Sequence, residues 1–312
     1  MLILYTLAPV FLLAALGAAL VRCGFFGAAF LREANRLTYW VGLPALLFQQ
    51  LAAGLPPAGT VGPLLLTLVA GTLLVIAAGY GIGRMMGAPA TALGTFVQGC
   101  FRGNLAFVGL PIIFALPDGT LHGGITVRSA AVLAVAPIMV LYNVSGVLAL
   151  LLSRHRLSLA MIRPLLRQLL LTPPLLATLA GMGCAALGLK LPVPLDRALA
   201  TLGEMALPLG LLGVGGTLAT LGAATNWRWP GGAVLIKTLL APVIGWGLGS
   251  WCGLEPAALQ VAMILMACPT AIVSYTIVVE LKGDEAMASA IIVGSVVLSL
   301  PALALIVGLF SV

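Results

Sequence analysis

The chain has 312 residues, of which 62% are hydrophobic and only 7% charged, with a mean hydropathy of +1.19. Soluble domains carry about 25% charged residues, so this composition excludes a water-soluble enzyme and leaves no room for a separate soluble domain. The formal net charge of +7 bears on membrane topology, not on nucleic acid.

Ten membrane spans are predicted, at 3–21, 37–53, 61–83, 89–116, 128–152, 166–187, 197–221, 230–252, 257–280 and 286–310. Most reach the ~20 apolar residues that cross the hydrocarbon. The first apolar run, Leu2 to Val21, continues at once into further spans, so no cleavable signal peptide is expected. In the second span Pro44 is a candidate helix break, and Gly79 and Gly83 in the third form a GxxxG pair suited to close helix approach.

The fourth span is the first with several breakers together. It reads Gln98-Gly-Cys-Phe-Arg-Gly-Asn-Leu-Ala-Phe-Val-Gly-Leu-Pro111, in which Gly103, Gly109 and Pro111 weaken the helix. Arg102 lies inside it, two residues before Asn104. An ionisable group there costs ~2.5–3.5 kcal/mol on insertion scales, so it needs a function or an aqueous vestibule. Asn143 in the fifth span serves equally well as a helix–helix contact or a site contact; its Asn143-Val-Ser145 pattern lies within the bilayer and is no glycosylation acceptor. The basic stretch Arg154–Arg167 reads as a connector.

In the second half, Glu204 is the only carboxylate well within a span, about one turn before Pro208, another candidate break. Lys237 sits well inside the eighth span, and either snorkels to an interface or supplies a fixed positive charge. The ninth span reads Met266-Ala-Cys-Pro-Thr-Ala-Ile-Val-Ser-Tyr275, with Pro269 as the break and Thr270, Ser274 and Tyr275 beside it.

Helix breakers recur in register. Pro9 and Pro173, Pro44 and Pro208, and Pro137 and Pro301 are each 164 positions apart, as are Gly81 and Gly245. Five spans on each side of the connector make the second copy enter the membrane upside down. The expected architecture is therefore an all-α, 5+5 inverted repeat: residues 1–153 as the first five-helix repeat, 154–165 as a cytoplasmic connector and 166–312 as the inverted second repeat. The same shift carries Leu105 onto Pro269, so the breaks of spans 4 and 9 fall at one depth and should cross. Each break alone reads as a packing kink, but the matched pair reads as a substrate site. Half-helix N-termini there offer unpaired N–H groups and positive dipole ends to an anion.

Sidedness follows the basic residues. With the N-terminus outside, ten Lys and Arg fall in inner loops and three (Arg128, Lys190, Arg197) in outer loops, so both termini are expected on the non-cytoplasmic side of the plasma membrane. No Walker A, HExxH or GxSxG motif occurs, and Cys23, Cys100, Cys184, Cys252 and Cys268 are scattered singly. No enzyme activity, cofactor or metal ion is expected. Paired intramembrane carboxylates are missing, which argues against a cation/proton antiporter.

These segments resemble the auxin efflux carrier family, in particular its bacterial members. The resemblance covers essentially the whole chain and rests on Leu43-Pro-Ala-Leu-Leu-Phe48, Asn104-Leu-Ala-Phe-Val-Gly-Leu-Pro-Ile112, Tyr142-Asn143, Leu207-Pro208, Lys237 with Pro242, and Ala267-Cys-Pro-Thr-Ala271. It implies a sodium/bile-acid-symporter-like elevator fold with crossed, broken helices 4 and 9. By the same resemblance, helices 1, 2, 6 and 7 would form the scaffold, helices 3–5 and 8–10 the transport unit, and two chains a homodimer. It also implies a small organic anion as substrate, with malate or malonate suggested for bacterial members. It maps the crossover asparagine onto Asn104 and the crossover prolines onto Pro111 and Pro269.

The expectation is a secondary transporter of a small carboxylate. Asn104, Gly103, Pro111, Pro269, Thr270, Ser274, Tyr275 and Asn143 would bind it, and Lys237, Arg102 and Glu204 would supply charge or coupling. The rivals are a sodium- or proton-coupled symporter of another solute class, a channel and a non-transporting membrane sensor. The coupling ion stays open.

Overall fold

The computed structural model describes residues 2–52, 58–117, 119–121, 124–153, 172–221 and 226–310. These form helices α1 (Leu2–Arg22), α2 (Ala28–Leu37), α3 (Leu43–Ala52), α4 (Ala58–Met85), α5 (Ala90–Phe101), α6 (Leu110–Ala115) and α7 (Val127–Ser153). Then come α8 (Pro173–Ala186), α9 (Val193–Thr220), α10 (Arg228–Leu235), α11 (Ala241–Trp251), α12 (Pro256–Ala267), α13 (Val273–Glu280) and α14 (Glu285–Leu309). No strand occurs among the described residues, only two isolated bridges. Among the described residues, six helical stretches are long and apolar enough to cross a membrane: Tyr5–Arg22, Val61–Met85, Val127–Ser153, Val193–Thr220, Arg228–Trp251 and Glu285–Leu309. The connector expected at 154–165, and the start of the span expected at 166–187, lie outside the described residues.

Proline placement corrects three of the four predicted breaks. The segments Thr38–Gly42, Leu105–Gly109 and Ile236–Leu240 are π-helical turns, and each ends two residues before a proline: Pro44, Pro111 and Pro242. A proline in a regular helix removes a hydrogen bond and clashes with the carbonyl four residues back. The wider turn shifts the pairing by one residue, as in the bond from the Leu110 N–H to the Leu105 carbonyl, and the chain passes on as a helix. The backbone therefore continues past Pro44, and Pro208 lies inside uninterrupted α9. Pro111 opens α6 while the real interruption comes earlier, at Arg102–Asn104. Of the four, only Pro269 stands in a gap between helices.

The second span also starts sooner than expected. Its helix begins at Ala28, so Arg32 and Arg36 lie on a helical turn and not in a loop. Glu33 lies 3.7 Å from each of them, and no breaker occurs between Gly27 and Pro44 apart from Gly42.

The core centres on α5 and α12. Every α5 residue from Ala92 to Phe101 is buried, and α12 is buried almost throughout. Glycines of neighbouring helices let them in. A Cβ on Gly83 would fall 2.7 Å from the Leu93 side chain of α5, and one on Gly245 would fall 2.7 Å from Met266 Sδ of α12. The seam between α1 and α9 is tighter still: a Cβ on Gly17 or Gly215 would overlap the backbone carbonyl of Leu212 or Ala14.

Candidate functional site

The two interruptions meet. The Asn104 N–H donates to the Pro269 carbonyl (2.8 Å), the Ala271 N–H donates to the Arg102 carbonyl (2.9 Å), and Gly103 pairs with Thr270 in an antiparallel bridge. Backbone groups freed by the breaks thus satisfy one another across the crossing, as a non-aqueous surrounding requires. Asn104 then caps the turn after it, its Oδ1 accepting from the Phe107 N–H at 3.3 Å.

A cavity of about 530 Å³ opens against one face of this crossing. The chain leaving each break lines it, Leu105–Phe107 from the first and Ala271–Val273 from the second. These are the starts of the next helical segments, the ends that carry positive dipole. Arg102 also lines it, only 4% exposed, with Nη2 donating to Asn143 Oδ1 and Nη1 reaching the Tyr142 carbonyl at 3.5 Å. Gly146 leaves room for that guanidinium, since a Cβ there would lie 3.0 Å from Nη1. Asn35, Arg36 and Tyr39 from the second span and Val214 of α9 close the other side. No carboxylate occurs among the described lining residues. Two guanidiniums and amide groups in a wall that is mostly apolar, with Tyr39, Tyr142 and Thr276 among its other members, make a surface fit for a small anion with an apolar part.

Of the residues expected at the site, Gly103, Asn104, Arg102 and Asn143 come together in this cavity. Pro269 contributes its carbonyl to the crossing without lining the cavity, and Pro111 is buried in α6. Thr270 turns away: its hydroxyl donates to the Gly99 carbonyl (2.9 Å) and its N–H to Ser295 Oγ (2.9 Å). Ser274 joins Thr270, Thr95 and Gln98 around a separate void of about 10 Å³ on the far side, room for about one water molecule. Tyr275 points to Glu285, 3.4 Å from its Oε2, and Glu204 is exposed on α9. Lys237 does not snorkel. It is 1% exposed and donates to the Met266 carbonyl, directly behind Gly103.

Sequence reasoning missed Asn35, Arg36, Tyr39 and Tyr142 as lining residues. A partial signal existed, because Asn35, Tyr39 and Leu43 recur at i, i+4 spacing on one helical face.

The comparison with family models matches residues 2–307 to a family described as membrane transport protein. The chain belongs to the auxin efflux carrier family. A search of curated proteins matched nothing. Membership makes this carrier-family chain a multi-pass membrane transporter, in keeping with its apolar helices.

Proposed function

We propose that the protein is a secondary carrier that moves a small organic anion, most simply a carboxylate, by alternating access. The observation that carries this reading is Arg102: a buried guanidinium, held by Asn143 and the Tyr142 carbonyl, facing a cavity without a described acidic group. Arg102 and the N–H groups at the two helix starts would hold the carboxylate, Asn104 would fix its position, and Arg36 would draw it in.

An elevator motion in a 5+5 inverted repeat is the mechanism we favour. Counting each interrupted or π-turned pair of helices as one passage, the cavity lies between two groups of spans. Asn35–Leu43 and Val214 belong to the proposed scaffold, while Arg102–Phe107, Met139–Asn143 and Ala271–Thr276 belong to the proposed transport unit. Such a boundary is where a sliding unit would expose and occlude its cargo. Residence in the plasma membrane as a homodimer, with both termini outside the cytoplasm, is part of the same reading.

The test is uptake of labelled mono- and dicarboxylates by liposomes containing the purified protein. Saturable flux that Arg102→Gln abolishes is the expected result. Absence of flux for every anion, or flux untouched by Arg102→Gln in a folded variant, would overturn the assignment.

A further inference from the structure

The crossing has two faces, and only one opens on the cavity. On the other, α12 ends at Ala267 and its last carbonyls lose their helical partners. The Cys268 N–H still reaches the Ile264 carbonyl (3.0 Å), which leaves Leu265 and Met266 beyond the last helical bond. This is the negative end of a buried helix, where a positive charge is stabilised. Lys237 comes to that end: its Nζ donates to the Met266 carbonyl, and a Cβ built on Gly103 would lie 3.2 Å from Nζ and 3.4 Å from the Leu265 carbonyl. Amine, helix end and crossing backbone therefore share one small volume. The ion pairs among the described residues are both exposed, on α2, and neither involves Lys237. Its counter-charge is the carbonyl end itself. Oxygen dipoles of this kind are also the ligands that hard monovalent cations take.

We propose that the carbonyl end of α12 behind Gly103 is a monovalent-cation site that the Lys237 ammonium occupies as a tethered ion. The site is separate from the anion cavity, and the inference stands or falls independently of the carrier reading because its readout is stability, not flux. Occupation by the side chain leaves the wild-type site with no need of a free cation.

The experiment uses purified full-length protein in detergent and measures thermal unfolding. The wild-type midpoint is expected to stay unchanged when sodium is replaced by choline. Lys237→Ala should lower the midpoint by roughly 5 °C, and n-propylammonium, which restores the deleted carbons and charge, should return it saturably. 1-Propanol at equal concentration should not. Propanol working as well as propylammonium, propylammonium restoring nothing, or a sodium-specific rise in the wild type would each overturn the proposal. Should the alanine variant not fold, Lys237→Met keeps most of the apolar volume without the charge. A lowered midpoint then supports the proposal, and a midpoint equal to or above wild type overturns it.

Discussion

The interruption at Arg102–Asn104 and the one at Cys268–Ile272 pair with each other, yet they settle their polar groups in opposite ways. At the first, side chains act in view of the cavity: Arg102 reaches to α7, and Asn104 caps the adjoining turn. At the second, Thr270 is held by partners behind the crossing, Gly99 and Ser295, and the side chains nearest the cavity are Ala271, Ile272 and Val273. One break presents chemistry, while the other anchors the frame on which that chemistry sits. Two breaks that pair across one crossing thus carry unequal tasks.

Substitutions separate the two tasks. Arg102→Gln should have the largest effect on ligand: loss of a charge-assisted contact is worth about 2 kcal/mol, roughly thirtyfold in anion affinity. Calorimetric titration would show it, and Arg102→Lys should recover only part, because an ammonium cannot reach both Asn143 and the Tyr142 carbonyl in the same fork. Asn104→Ala should cost about 1 kcal/mol of stability through the lost cap and weaken anion binding as well. Thr270→Val should destabilise by a similar amount, about 1 kcal/mol in thermal unfolding, with anion affinity unmoved. An affinity loss at Thr270 matching that at Asn104 would erase the contrast. Ser274→Ala should change little, within about 0.5 kcal/mol, since its buried Oγ has no partner among the described atoms.

The interrupted helices were legible in sequence because glycine, proline and polar residues inside an apolar span weaken the helix and leave backbone groups to be satisfied. Their matched depth was expected from the 164-residue shift that carries Leu105 onto Pro269. Which proline breaks a helix was not legible: Pro44, Pro111 and Pro208 carry the same local penalty as Pro269, and at Pro44 and Pro111 a wider turn absorbs it while α9 runs straight through Pro208. Ser274 and Tyr275 were assigned to the wrong face for a different reason. On α13 the cavity takes Val273 and Thr276, three apart, and the intervening residues must point elsewhere. The i, i+4 spacing of Asn35, Tyr39 and Leu43 marks a common helical face, but that this face meets Arg102 and Asn104 of distant spans is encoded in no local pattern.

The glycine seam joining α1 to α9 has a mechanical corollary. With carbonyl oxygens standing where methyl groups would go, the two rods have no clearance to shear past each other, so they behave as one laminated post. The first interruption rests on that post through a flat ring: Phe107 lies against the bare backbone of Gly210, where a Cβ would fall 2.4 Å from a ring carbon.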